Sequence, residues 1–372
     1  MSLAHSGTDV VIVGGGHAGL AAAIAARQKG FSVTVADGAE PPIDKTCGEG
    51  MMPETLASLH SLGIHLEREE GFRFDGICFV NEGMRAFAKF PGGQGLGLAR
   101  PVLHGKLIAR ATECGVQLLW KTPVTEIDRD GVLARGSKIR ARWIVGADGL
   151  ASRVRRWGGL EPANSSTLRF ANRRHYRLAP WSSFMEIHWG QRVQAYVTPI
   201  ASDEVSVVII GERSKNAEFA QALESLPELR RRLEGAEING RERGAVTSSR
   251  SLKDVQRGKV ALLGDASGSV DAITGEGLRL GFQQAFALAD AFQGGTLEKY
   301  QKAHRALQQR PLLVANLMVW LGRHAILRER VIQSFAAKPA LFSKFLAYHV
   351  GEATPAELLS TGAALGWQLL AA

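Results

Sequence analysis

Residues 10–37 read VVIVGGGHAGLAAAIAARQKGFSVTVAD, and this stretch decides the fold. The apolar run Val10–Val13 breaks at Gly14-Gly15-Gly16, and an Ala-rich segment then continues to Lys29. Gly30 closes that segment, and a second apolar run, Phe31–Val35, ends on Asp37. The order predicts strand, tight turn, helix and strand, with G-x-G-x-x-G carried by Gly14, Gly16 and Gly19. Gly14 permits the turn, Gly16 lets backbone approach a diphosphate, and Gly19 lets the helix pack close to the sheet. The helix N-terminus, which holds His17 and Ala18, presents free N–H groups and a partial positive charge to phosphates. Asp37 lies 23 residues beyond Gly14, where an acidic side chain accepts hydrogen bonds from ribose hydroxyls. The unit predicts dinucleotide binding and leaves NAD and FAD equally open.

A chain of 372 residues is long enough for two domains or one large interleaved one. Composition is that of a globular protein, with 45% hydrophobic residues and no low-complexity tract. The net charge of +9 comes from clusters such as Arg153-Arg155-Arg156 and Arg230-Arg231-Arg232. No nucleic-acid motif accompanies them, so a basic surface beside an anionic cofactor is expected and a nucleic-acid partner is not. Cys47, Cys78 and Cys114 have neither disulfide nor zinc spacing. They suit a reducing, cytoplasmic compartment, and no metal is expected. The start, MSLAHSGTDVV, lacks the basic and apolar regions of a signal peptide. The longest apolar segment, Leu312–Leu321, contains Asn316 and is too short to span a bilayer.

Beyond Asp37, Pro41-Pro42 predicts an extended loop leading to the Gly-rich Lys45–Gly50, and Pro53 opens a helix. Residues 72–90 read as two strands joined near Asn81-Glu82-Gly83, and Pro91–Gly97 as a flexible loop. A helix from Pro101 to Gly115, a strand at Val116–Trp120 and a hairpin turning at Asp130-Gly131 follow. A strand over Ala141–Gly146 precedes Ala147-Asp148-Gly149. Residues 169–210 are strand-rich and predict an antiparallel sheet, and Ala217–Leu233 returns to helix. Lys259–Leu263 predicts a strand meeting Gly264-Asp265, and a helix starts near Gly277. Residues 296–372 are helical.

Three separated stretches then act together: residues 10–37, VGADGLASRVRR (145–156) and VALLGDASGSVDAITGEGLRLGF (260–282). Their order and spacing resemble the FAD enzymes that include para-hydroxybenzoate hydroxylase, flavin halogenases and geranylgeranyl reductases. DKTCGEGMMP and GEGL look most like the geranylgeranyl-reductase branch, and the resemblance covers residues 8–295. It implies an α/β fold with a Rossmann-like FAD-binding domain from residues 1–70, 98–165 and 245–295. An antiparallel-sheet substrate domain would come from 71–97 and 166–244, followed by the helical region 296–372. It also implies that Asp265 accepts from ribityl hydroxyls, and that Gly275, Gly277 and Leu278 aim helix-start amides at the flavin edge. There the amides would stabilise negative charge on reduced flavin. By the same resemblance Arg100 lies near the diphosphate, Val124 beside adenine, Lys45 and Cys47 close to the flavin, and Asp148 in a supporting loop.

Each residue also has a plainer reading. Asp265 fits a helix N-cap, Asp148-Gly149 a simple turn, Lys45 a solvated loop lysine, and Cys47 an inert small hydrophobe. A reactive Cys47 would donate a proton or gate the substrate. Several departures from the family stand out. Ala272 replaces a frequent proline, and Gln194–Pro199 (QAYVTP) lacks both tryptophans of the halogenase motif. The prenyl-reductase version of that motif is kept only at Tyr196 and Pro199. No second G-x-G-x-x-G is present, so NAD(P)H is expected to dock transiently. His175, Tyr176, His188 and Tyr196 are acid/base candidates on the substrate sheet and equally ordinary strand residues. The leading expectation is an FAD-dependent monooxygenase acting on an aromatic or apolar small molecule. The alternatives are a geranylgeranyl-reductase-type ene reductase and a non-catalytic binding protein of the same fold. The apolar residues Leu312–Leu321 are expected to pack on the core rather than on a membrane surface.

Overall fold

A computed structural model of the protein describes residues 7–160, 164–165, 168–212, 219–359 and 362. Expectations about the first six residues, about the start of the Ala217–Leu233 helix (217–218), and about 360–361 and 363–372 of the C-terminal region lie outside the described residues. The first sheet has the strand order Gln256–Arg257, Val260–Leu262, Ser137–Gly146, Thr8–Val13, Val33–Ala36, Gln117–Leu119. Its central pairs are parallel, and their register places Leu262, Gly146, Val13, Ala36 and Leu119 in one row. The strands Val124–Ile127 and Gly131–Ala134 extend it as an antiparallel hairpin. Val10–Val13 is a continuous apolar run because both of its faces are covered.

The first helix, His17–Gln28, is buried along most of its length, which its alanines allow. Ala18 packs at a site where a Cβ on Gly264 would lie 3.0 Å from its own, and one on Gly281 3.1 Å. The helix Gly277–Gln293 therefore lies directly against the first helix. Here small residues set the distance between backbones.

The second sheet has seven strands, ordered Glu237–Thr247, Arg169–Arg177, Glu204–Glu212, Val193–Ala201, Met185–Trp189, Gly76–Asn81, Met84–Lys89. It is antiparallel except where Met185–Trp189 runs parallel to Gly76–Asn81. Helices Glu298–Arg323, Ala325–Ala337 and Pro339–Val350 cover one face, burying Phe79, Ile187, Met318, Phe335 and Phe342 together. Among the described residues no helix is long and apolar enough to cross a membrane.

Three expectations need correction. Pro91–Gly97 is not all loop, because Gly95–Gly97 is a buried strand between Gly50–Met51 and Phe72–Phe74. Its glycines serve packing, since a Cβ on Gly97 would overlap the Pro199 carbonyl oxygen. The helix expected up to Leu233 is two, Phe219–Glu224 and Pro227–Leu233, because Pro227 starts a new helix rather than continuing one. The edge strand Glu237–Thr247 was not foreseen. Its polar sequence is largely exposed and carries no alternation of apolar residues.

Two glycine substitutions should therefore act oppositely. Gly97→Ala is expected to cost about 2 kcal/mol or more in chemical denaturation, through backbone overlap. Gly105→Ala, in the helix Arg100–Glu113 with open space around it, is expected to be neutral or to stabilise by up to about 1 kcal/mol.

Candidate active site

The aligned strand ends deliver four loops to one edge of the first sheet: Gly14–Gly16, Asp37–Ala39, Ala147–Gly149 and Gly264–Asp265. In parallel sheets this carboxyl edge is where ligands bind. The motif glycines differ in their surroundings. A Cβ on Gly14 (φ +112°) would run into the Ala147 carbonyl, and one on Gly19 into that of Gly14. At Gly16 nothing lies within 4 Å, so backbone is bare toward open space. No side chain caps the first helix. A cavity of about 270 Å³ opens there, lined by Gly14, Gly16, Asp37, Lys45, Val124 and Asp148. Arg153 and Trp157 also line it, and neither was anticipated.

Asp37 accepts from the amides of Gly15 (2.6 Å) and Ala39 (2.7 Å), so it orders the turn as well as facing the cavity. Asp148 accepts from the Ser152 hydroxyl (2.5 Å) and the Arg153 amide (2.7 Å), which anchors the start of the helix Arg153–Trp157. Its loop-supporting reading and its place at the cleft coexist. Asp265 is exposed in the short 3-10 turn Gly264–Ser267, where no side chain forms a cap. Gly275 is left-handed (φ +67°), Gly277 begins its helix without a side-chain cap, and Leu278 is half-buried in the first turn.

Buried polar atoms without partners mark the same region. Both ring nitrogens of His17, Nε of Arg100 and Oγ1 of Thr46 are buried and make no hydrogen bond. Burial holds the His17 pKa well below its usual value, and the positive Arg100 works in the same direction. Each such atom costs roughly 1–3 kcal/mol unless something pairs with it. Bare backbone, uncapped amides and unpaired donors together suit a long, anionic, hydroxyl-rich ligand.

The loop from Asp44 to Gly50 is clasped to the second sheet by Arg173, which nothing in the sequence singles out, and by His175. Arg173 holds Asp44 at 2.9 Å through Nη2 and Glu49 at 2.9 Å through Nη1. Glu49 also accepts from the Arg100 amide (2.8 Å) and pairs with His175 Nε2 (2.6 Å), whose Nδ1 lies 3.2 Å from Glu204. Burial opposes charge on Glu49, yet His175, Arg173 and the Arg100 amide hold its pKa below the ordinary carboxylate value. Thr198 adds a bond to the Gly48 carbonyl (2.6 Å). Cys47 is half-buried, and its sulfur accepts from the Glu49 amide at 3.4 Å. His175 is therefore engaged in the clasp. His188 pairs with buried Glu186 (2.8 Å), and Tyr176 packs near Phe219. In the sequence Glu49 stands out only as part of the Gly-rich stretch DKTCGEGMMP, and in the structure its φ is +58°.

A second cavity, of about 40 Å³, meets Gly275 and is lined by Phe74, Ile77, Met185, Ile187, Met318 and Phe342. Tyr196 reaches it, but its hydroxyl donates to the Ile273 carbonyl and burial raises its pKa. His349 bonds the Thr274 carbonyl (3.1 Å) and approaches Glu276 Oε1 (3.5 Å). Glu276, wholly buried, is paired with Arg279. Nearby, both carboxylate oxygens of Glu54 are buried without partners, and desolvation pushes its pKa up to about 7.

Comparison with known proteins agrees with this geometry. Residues 7–294 match the FAD binding domain family. The chain is 26% identical over 329 residues to a menaquinone reductase of Mycolicibacterium smegmatis, covering 81% of this chain and 80% of that protein. It is 30% identical over 305 residues to a digeranylgeranylglycerophospholipid reductase of Methanopyrus kandleri, covering 73% and 76%. A p-nitrophenol 4-monooxygenase structure from Pseudomonas putida superposes with a TM-score of 0.75 at 19% identity, covering 89% of this chain and 93% of that one.

Glu49 and Glu54 predict opposite pH dependences of stability. The pKa of Glu49 is lowered on folding, so its contribution is present above pH 4.5 and is lost as pH falls below that value. That of Glu54 is raised, so its contribution is present below pH 4.5 and is lost as pH rises through about 7. Between pH 5 and 8, Glu54→Gln should remove a decline on the order of 2 kcal/mol from the wild-type profile, as read by urea denaturation. Glu49→Gln should instead flatten the acid limb.

Proposed function

The chain belongs to the FAD binding domain family and is an FAD-dependent oxidoreductase, and from that premise we propose that it reduces a carbon–carbon double bond in an apolar small molecule. The observation that carries this reading is the pocket at Gly275, whose lining is almost wholly apolar side chain. A polar substrate would give up its bonds to water there and find little in exchange. Two relatives that match over most of their length are named as reductases, which points the same way.

In this reading the amides at Gly16, His17, Ala18 and Gly19 receive the diphosphate of FAD, with Arg100 and Lys45 adding positive charge. Asp37 and Asp265 accept from its sugar and ribityl hydroxyls, Val124 packs beside adenine, and Asp148 keeps its loop in place. The uncapped helix start at Gly275, Gly277 and Leu278 faces the negative charge of the reduced ring. The partnerless His17, Arg100 and Thr46 atoms support the assignment, because a bound dinucleotide would offer them partners. FAD supplies the hydride couple, and the chain positions the alkene and excludes water. Reduction adds a hydride to one carbon and a proton to the other. Cys47 is the proposed proton source, and an NAD(P)H molecule docking transiently is the proposed electron donor. The clasp through Arg173 and Glu49 holds the Cys47 loop in place for either role, proton donor or gate.

Oxygen-dependent hydroxylation is the second reading, favoured by the fold shared with the p-nitrophenol monooxygenase. Stopped-flow measurement separates the two. The photoreduced enzyme, kept anaerobic, is mixed with menaquinone or a geranylgeranyl lipid. Flavin reoxidation without oxygen, with a saturated product by mass spectrometry, is expected. Turnover only with oxygen, with an oxygenated product, would replace the first reading by the second. Gly16→Val should leave the melting behaviour within a few degrees of wild type, because its Cβ meets nothing, while reducing FAD retention at least tenfold. Retained yellow colour in that variant would remove the diphosphate assignment.

A further inference from the structure

A third cavity exceeds both the cleft at Gly14–Gly16 and the apolar pocket at Gly275. It measures about 450 Å³ and lies where the second sheet meets the junction of two C-terminal helices, Glu298–Arg323 and Ala325–Ala337. Four arginines line it: Arg169, Arg192, Arg323 and Arg328. Two of them are neutralised, Arg169 by Asp271 (2.8 Å) and Arg323 by Glu212 (2.7 Å). Arg192 and Arg328 have no carboxylate within ion-pair distance among the described residues.

Arg328 is the decisive residue. It is 4% exposed and carries a charge that guanidinium does not lose. Its Nε donates to the Asn81 side-chain oxygen (3.0 Å) and its Nη1 to the Gly322 carbonyl (3.1 Å). Neither partner is charged, and Nη2 makes no hydrogen bond among the described residues. Glu82 and Glu329 act on Arg328 only from beyond ion-pair distance, and burying a cation without a directly paired counter-charge is costly. Arg192 sits exposed on the tight turn between strands Met185–Trp189 and Val193–Ala201 and lines the cavity from there. Ala325 also lines the cavity, at the start of a 13-residue helix that no side chain caps. The positive end of its dipole therefore lies at this cavity, beside the carboxyl end of Glu298–Arg323, whose Gly322 carbonyl is taken up by Arg328.

We infer that this cavity is a binding site for a phosphate-type dianion, a phosphate ester or a diphosphate. The two unneutralised guanidinium groups match its charge, and the planar fork of Arg328 at the helix start matches its oxygens. The site is separate from the Gly14–Gly19 cradle and is independent of which reaction the flavin site performs. Free phosphate esters and lipid headgroups share this chemistry, so both are probed.

The test uses FAD-loaded protein, so that the Gly-rich turn is already filled. Calorimetric titration with sodium pyrophosphate at 50 and 200 mM salt is the first arm. Co-sedimentation with vesicles containing phosphatidic acid, against phosphatidylcholine alone, is the second. One saturable site that weakens with salt is expected, with affinity falling about tenfold in Arg192→Gln and lost in Arg328→Gln. Saturable pyrophosphate binding identifies a soluble phosphate group, and binding only to the acidic vesicles identifies a lipid headgroup. Because Arg328 also ties Asn81 to the helix end, Arg192→Gln, on an exposed turn, carries the test if Arg328→Gln does not fold. Absence of binding in both arms, or affinity unchanged in Arg192→Gln, overturns the inference.

Discussion

The parallel register of the first sheet is the constraint on which the rest of the structure depends. Because Leu262, Gly146, Val13 and Ala36 stand in one row, the segments that follow them leave the sheet at one level. Four loops that are far apart in sequence thus share one crevice. Their approach is limited by backbone contacts at Gly14, Gly19 and Ala147 on one side and by Ala18, Gly264 and Gly281 on the other. A methyl group at Gly14 or Gly19 would push the turn off the helix. At Gly16 the missing side chain leaves open space instead of contact, so its smallness answers to no packing neighbour among the described residues.

The second physical theme is uneven satisfaction of buried polar groups. At Glu49 every carboxylate oxygen is engaged, by Arg173, His175 and a backbone amide, and the loop bearing Cys47 is tied to the second sheet. At His17, Arg100, Thr46 and Glu54 the opposite holds, and buried atoms stand without partners. Folded proteins rarely leave such groups unpaired, and His17 and Thr46 stand next in sequence to Gly16 and Lys45, which line the cleft. Fully paired clusters such as Glu186 with Arg85, Trp181 and His188 are explained as internal scaffolding.

The C-terminal helices link the themes. They bury the outer face of the second sheet, and side chains from Glu298–Arg323 line both the apolar pocket near Gly275 and the arginine-rich cavity. Met318 belongs to the first and Val319 to the second, so adjacent residues on one helix face two chemical environments. Val314, Ala315, Met318 and Leu321 are buried in this packing, while Leu313, Leu317 and Trp320 remain exposed.

Much of this was legible in the chain itself, because local patterns encode local chemistry. The strand–glycine–helix unit at 10–37, the Gly-Asp and Gly-Glu-Gly stretches and the strand-rich middle are each written in contiguous residues with a fixed period or spacing. The places of Asp37, Asp148 and Asp265 just beyond strand ends, and of Gly14, Gly16, Gly275 and Gly277 at turns that open helices, were therefore legible in advance. Gly95–Gly97 was read as loop because glycine signals flexibility in sequence, whereas here it allows Pro199 to approach. Glu237–Thr247 carried no alternation, because its faces are exposed and only its backbone pairing makes it a strand. The Arg173–Glu49–His175 clasp, the raised pKa of Glu54 and the unpaired Arg328 depend on residues more than a hundred positions apart, or on burial by distant helices. Burial and long-range pairing are properties of the packed chain, so only the tertiary structure decided them.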